Sequence, residues 1–221
     1  MEKNGKLRIA LLGLGTVGYG VYDFIRRRDD MEIACAMSLV VPDGVTCPIV
    51  KNIEEIYADE TIGAVVEVIG GLHPAYEWVR GALRAGKHVI TANKLLIAKH
   101  YTELVSLAKE NGVALRCTAA AGGGIPWLTS LKRCADQEPV IRISGIMNGT
   151  TNFILDTMHR TGGSFASALA EAQRLGYAEA DPADDLNGAD IRRKLVISAN
   201  IGYGCVLDED EVAVEGIEHI T

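Results

Sequence analysis

The chain has 221 residues, enough for one large domain or two small ones and for a sizeable buried core. Hydrophobic residues at 48% and charged residues at 23% are ordinary for a soluble globular protein, and a net charge of −7 gives no basic footprint for nucleic acid or an anionic membrane. Five cysteines (Cys35, Cys47, Cys117, Cys134, Cys205) form no C-x-x-C pair, and their odd number completes no disulfide framework. They read as reduced thiols of a cytoplasmic protein. No run reaches membrane-spanning length. The glycines of Gly13-Leu-Gly-Thr-Val-Gly18 interrupt what would otherwise imitate a secretory signal.

In chain order the pattern predicts a strand over 7–12, a helix over 17–28, a strand over 32–39 and a short helix over 53–57. A strand over 64–69, a helix over 75–85 and a strand over 88–91 follow. A helix over 101–111 stopped by Gly112, and a strand over 114–118, close this half. Strands alternating with helices, the strands continuously apolar, predict a doubly wound parallel sheet covered on both faces. The texture changes at Asp136-Gln-Glu-Pro139, which places a domain boundary between residues 135 and 136. Beyond it a strand over 140–146 and helices over 152–160 and 166–175 are predicted. A shaped acidic loop follows, and then a helix from Ala189. Pro182 and Asn187-Gly188 argue against regular helix inside that loop. The expected architecture is α/β, a Rossmann-type domain over 1–135 and a second α+β unit over 136–221. The second unit ends, at Thr221, inside an ongoing pattern.

Gly13-x-Gly15-x-x-Gly18 lies between a predicted strand and a predicted helix. The glycines there serve a tight turn, close approach of a pyrophosphate and helix–sheet packing. Thr16 and Val17 open the helix whose N-terminus would face the phosphates. The acidic residue that would bind a ribose 2′-hydroxyl is missing at Ala36-Met37-Ser38. That removes a repulsion against a 2′-phosphate and leans towards NADP, with NAD as the alternative, although no arginine sits there as a clamp. Gly70 and Gly71 end one strand, and Asn93-Lys94 ends the next. Those are the positions where ligands gather in open α/β sheets, although Asn93 alone has the plainer use of capping a turn. His73 and His88 carry no ligand spacing.

The richest stretch runs from Arg174 to Lys194. It places Glu179, Asp181, Asp184, Asp185 and Asp190 ahead of one lysine. Asp190 and Lys194, four residues apart on one helix face, form a candidate acid–base pair where the helix enters an apolar core. The spacing is not that of a calcium loop. In Asn148-Gly-Thr-Thr-Asn152 a glycine stands where phosphorylating aldehyde dehydrogenases carry a cysteine. This points to direct hydride transfer without a covalent intermediate.

Six segments in order resemble homoserine dehydrogenase: 13–18, 67–71, 91–94, 122–126, 148–152, and 176–182 through Asp190 and Lys194. The resemblance implies NAD(P)-dependent interconversion of L-homoserine and L-aspartate 4-semialdehyde, in threonine, methionine and isoleucine biosynthesis, by a homodimer. It implies Lys194 as proton donor and acceptor, Asp190 as an orienting group, and Lys94 beside nicotinamide and substrate. Glu179 would hold the substrate amino group, with Asn148, Thr150 and Asp185 as further substrate contacts. Some members bind sodium through backbone matching Ala121, Gly123 and Ile125. Here Thr118 stands where a glutamate is usual, which weakens that expectation. The family's catalytic region also runs about 100 residues further, so the second unit is expected to be partial. The alternatives are another small amino-acid or semialdehyde dehydrogenase on this fold, or a catalytically silent dinucleotide-binding module.

Overall fold

The structure is a computed structural model and describes residues 2, 3 and 5–221. It divides into two compact units, 1–129 and 130–221.

In the first unit β1 (Glu2–Lys3) folds back antiparallel on β2 (Lys6–Leu12). Five parallel strands follow the order β3 (Met31–Met37), β2, β4 (Ala64–Glu67), β5 (His88–Thr91), β6 (Leu115–Arg116). The order reverses between β2 and β4, and the crevice beyond the carboxyl ends of such a pair is where ligands sit in open α/β sheets. Ile9–Leu12 are all buried, as a strand covered on both faces requires. Ala10 and Leu12 pack with Val65, Val79, Leu83 and Leu104, towards α3 (Ala75–Arg84) and α4 (Lys94–Glu110). Ile9 and Leu11 pack the other way, with Tyr22 and Ile25 of α1 (Thr16–Ile25). The short helix α2 (Ile53–Ala58) adds Ile56 to the α3 side. Double covering does not extend to β5, where Val89 is buried but Ile90 is 36% exposed.

Several boundaries differ from the sequence pattern for identifiable reasons. β3 stops at Met37, and Leu39 beyond it is fully exposed. β4 stops at Glu67, and the chain then turns through two left-handed residues, Gly70 (φ 73°) and Gly71 (φ 71°). α4 begins at Lys94 rather than Tyr101, because Asn93 caps it. A non-helical residue, His100 (φ −128°), kinks the helix. β6 is two residues long, since Thr118–Ala120 forms a 3-10 turn before α5 (Trp127–Ala135).

The second unit holds α6 (Gly149–Thr161), α7 (Phe165–Arg174), α8 (Ala183–Leu186) and α9 (Ala189–Tyr203). Ile154, Ala168, Ala172, Ala178 and Leu186 form its buried cluster. The strand expected over 140–146 is not formed. A strand needs a partner row of N–H and C=O groups, and no described residue of this unit supplies one. Ile141 and Ile146 are accordingly 94% and 80% exposed, while Ile143 turns inward to Gly202. Nor is the acidic stretch a loop throughout. Pro182 sits at the N-cap of α8, where its missing N–H costs nothing, so it starts a helical turn instead of forbidding one.

Candidate active site

In the first unit the glycine turn is built from backbone. Gly13 has φ 99°, and a side chain there would meet Ile69 and the Val68 carbonyl at 3.0 Å, so the turn lies directly against the end of β4. Gly18 is packed so closely on the Gly13 carbonyl that any Cβ would overlap it. Gly15, the N-cap of α1, is the opposite case: a Cβ there meets nothing within 4 Å. No side chain caps α1, and its first turn has no acidic residue. Its free N–H groups and positive dipole end therefore face open space, with Thr16 and Val17 exposed at the rim. This cradle fits a pyrophosphate.

Ser38 is a feature that sequence reasoning passed over. Its hydroxyl accepts from the Leu14 N–H at 3.2 Å and donates to the Val40 carbonyl at 2.7 Å, bracing the glycine turn against the end of β3. The only available hint was a small hydroxyl residue where an acid was sought. Leu39 and Val40, exposed beside it, carry no charge that would discriminate a 2′-phosphate from a 2′-hydroxyl.

At the ends of β4 and β5 the two predicted segments meet. Asn93 accepts from the Leu96 N–H at 3.1 Å, as the cap of α4, and donates to the Gly71 carbonyl at 2.6 Å. Its side chain is thus committed to the protein. Lys94 is the first residue of α4, at the positive end of a helix with no acid in its first turn. A cation there opposes the helix dipole by about 0.3–1 kcal/mol. The small-residue run holds Gly122 and Gly123 in left-handed turns, and the Ile125 carbonyl accepts from the Trp127 N–H at 2.7 Å. Thr118 lies in a 3-10 turn just before Ala121, and Gly123 and Ile125 follow in the same run.

In the second unit the predicted residues converge. Lys194 Nζ lies 2.8 Å from Asp190 Oδ2 and donates to the Met147 carbonyl at 2.6 Å. Asn148 donates through one amide nitrogen to both Asp185 (2.6 Å) and Asp190 (2.9 Å), and its oxygen caps α6 at the Thr151 N–H. The Asp190 and Lys194 side chains are 7% and 18% exposed, so water screens the pair little. Thr150 donates to the Tyr177 carbonyl at 2.7 Å, and Tyr177 stacks on Phe153, which shapes the stretch leading to Glu179. The Glu179 side chain is exposed; the Gln173 amide holds its backbone carbonyl. Arg193, next to the candidate lysine, pairs with Asp184 at 2.5 Å and Glu209 at 3.2 Å, tying α8 to α9 and the turn at 209–211. Its neighbours in sequence gave no sign of that clamp, because Glu209 is 16 residues away.

Comparison with known proteins matches two family profiles to this layout. One, described as the NAD binding domain of homoserine dehydrogenase, covers residues 13–118, and the other, homoserine dehydrogenase, covers 126–221. The Bacillus subtilis homoserine dehydrogenase is 38% identical over 97% of this chain, which covers 53% of that protein. A crystal structure of a homoserine dehydrogenase from Thiobacillus denitrificans superposes with a TM-score of 0.88 at 39% identity, covering 98% of this chain and 53% of that one. A hyperthermophilic archaeal homoserine dehydrogenase solved in complex with NADPH gives 0.84 at 25% identity, covering 98% and 75%. The chain spans about half the length of the curated relatives it matches.

Proposed function

The chain belongs to the homoserine dehydrogenase family, and from that premise we propose that it carries the nucleotide-binding and proton-transfer parts of an NAD(P)-dependent interconversion of L-homoserine and L-aspartate 4-semialdehyde. The observation that carries the reading is the Lys194–Asp190–Asn148–Asp185 network, with Asp190 and Asn148 buried and the other two partly so. A catalytically silent binding module has no use for it.

Gly13, Gly15 and Gly18, with Thr16 and Val17, receive the pyrophosphate at the N-terminus of α1. Gly70, Gly71 and Lys94 flank the nicotinamide half, and Asn93 secures their turn. When bound, a reduced nicotinamide would supply hydride to the aldehyde carbon. Lys194 then gives a proton from Nζ to the oxygen, so that the C=O becomes CH–OH. Of the three N–H bonds of an ammonium, one is directed to Asp190 and one to Met147, which leaves the third for the substrate oxygen. Asp190 holds the ammonium in place and Asn148 holds Asp190. Exposed Glu179 is free to meet the substrate ammonium, and Thr150 and Asp185 are further substrate contacts. No thiol occupies the Gly149 position, so transfer is direct. NADPH serves at least as well as NADH, because the end of β3 presents no carboxylate. Activity depends little on sodium. The test is oxidation of NADPH and NADH, at equal concentrations, with aspartate semialdehyde, in sodium and in a bulky organic cation. Turnover with NADPH supports the reading; none with either cofactor, in a protein that binds both, overturns it.

A further inference from the structure

Glu67, the last residue of β4, is wholly buried. A carboxylate removed from water is costly unless its oxygens are satisfied, and the partners of this one define its role. Oε1 accepts from the Ile69 N–H at 2.9 Å and, at 3.5 Å, from the Asn93 amide. Oε2 accepts from the Thr91 hydroxyl at 2.5 Å. The Thr91 oxygen in turn accepts from the Asn93 N–H at 2.9 Å, and Asn93 reaches both the Gly71 carbonyl and the first turn of α4. One carboxylate therefore joins the turn after β4, which carries Gly70 and Gly71, to the turn after β5, which carries Lys94.

We propose that Glu67 is a positioning residue that sets the seat of the nicotinamide half of the dinucleotide. This rests on the dinucleotide reading above. Complete burial keeps Glu67 off any ligand, so it acts only through the two turns it holds. Its hydrogen-bonded partners all lie at the ends of β4 and β5, and only Ile69, whose side chain lies beside Gly13, touches the glycine turn. Disturbing it therefore loosens the nicotinamide half of the ligand's seat far more than the other. The side chain is also matched to the task. A glutamine could keep its oxygen on the Ile69 N–H and donate from its amide to the Thr91 oxygen, but the Thr91 hydroxyl proton would then lose the buried acceptor that the carboxylate gives it. A residue that merely stabilised the pairing of β4 with β5 would show no such division between the two halves of the ligand.

The experiment uses the whole chain with Glu67→Gln, Thr91→Val and, as the conservative variant, Thr91→Ser. Adenosine 2′,5′-bisphosphate probes the adenosine half by calorimetry, and the fluorescence of bound NADPH probes the nicotinamide half. Expected for Glu67→Gln and Thr91→Val is unchanged affinity for the bisphosphate, about tenfold weaker NADPH binding, and loss of the nicotinamide fluorescence change. Thr91→Ser, which keeps the hydroxyl, behaves as wild type. Should Glu67→Gln fail to fold, Thr91→Val, matched in shape, carries the test alone. Equal weakening of both ligands, or no change in either, overturns the proposal. The readouts do not need turnover, so a protein inactive on aspartate semialdehyde would sink the functional reading and leave this result standing.

Discussion

The two units solve different chemical problems with different materials. The first presents a ligand seat made of backbone: free N–H groups at the start of α1 and glycines that must be glycines, two because of what they touch and one because of what they leave open. The second presents a network of ionisable side chains, with Lys194 and Asp190 nearly removed from water and an amide bridging two carboxylates. A phosphate needs fixed donors and no proton exchange, which backbone provides without titrating. Proton transfer needs a group that can lose and regain a proton, which only a side chain provides. The lesson is that damage to either unit should be separable by what fails.

The largest expected effect is on chemistry. Lys194→Met should cut turnover by about 10²–10⁴-fold or more, as loss of a general acid does. Asp190→Asn should cost less, because the donor remains. Glu179→Gln should mainly raise KM, since its partner is present in ground and transition states alike. Steady-state kinetics separates the three, and near-normal turnover in folded Lys194→Met would move the proton donor elsewhere, with Lys94 next in line.

Next come the glycines. Gly18→Ala drives a methyl into the Gly13 carbonyl and should destabilise the protein by roughly 1–3 kcal/mol, seen as a lower Tm. Gly15→Ala adds its methyl to open space. It should melt like the wild type yet bind NADPH weakly, because the methyl occupies the approach of the pyrophosphate. Equal Tm losses in the two variants would contradict the contrast between the packed and the open glycine.

The smallest effect lies at the far end of the sheet and serves as a control on both units. Hydrogen bonds from the Thr61 hydroxyl and N–H, with help from Arg8 and Lys87, hold the Asp59 carboxyl below its ordinary value of 3.8. A lowered folded value contributes stability that is present above 3.8 and lost as pH falls through the folded value. Thr61→Val should remove part of that contribution. Its stability loss should be well under about 1 kcal/mol near neutrality, because the side chain is more than a third exposed and water screens it, and should vanish in acid. Unfolding measured at pH 7 and again below pH 3 checks the sign, and a loss that grew in acid would be wrong for this mechanism.

How far the sequence spoke follows the same division. Strand β5 and the glycine turn were legible because local pattern governs them: a short apolar run, a turn residue, a helix start. Asp190 and Lys194 were legible because helix periodicity alone brings them together. The rest depended on distance. Glu67 and Thr91 are 24 residues apart and meet only because β4 and β5 pair in register. Asn148 reaches Asp185 across 37 residues, so its bridging role could not be read from its neighbours. The stretch 140–146 has the alternation of a strand, but alternation describes one edge and pairing needs two.

The division of labour itself is tested most directly by NADPH binding isotherms of Lys194→Met and Gly15→Ala, measured beside the wild type. The account predicts an unchanged dissociation constant for Lys194→Met and a strongly weakened one for Gly15→Ala, although only the first substitution removes a charge. Comparable weakening in Lys194→Met, with its fold intact, would contradict it.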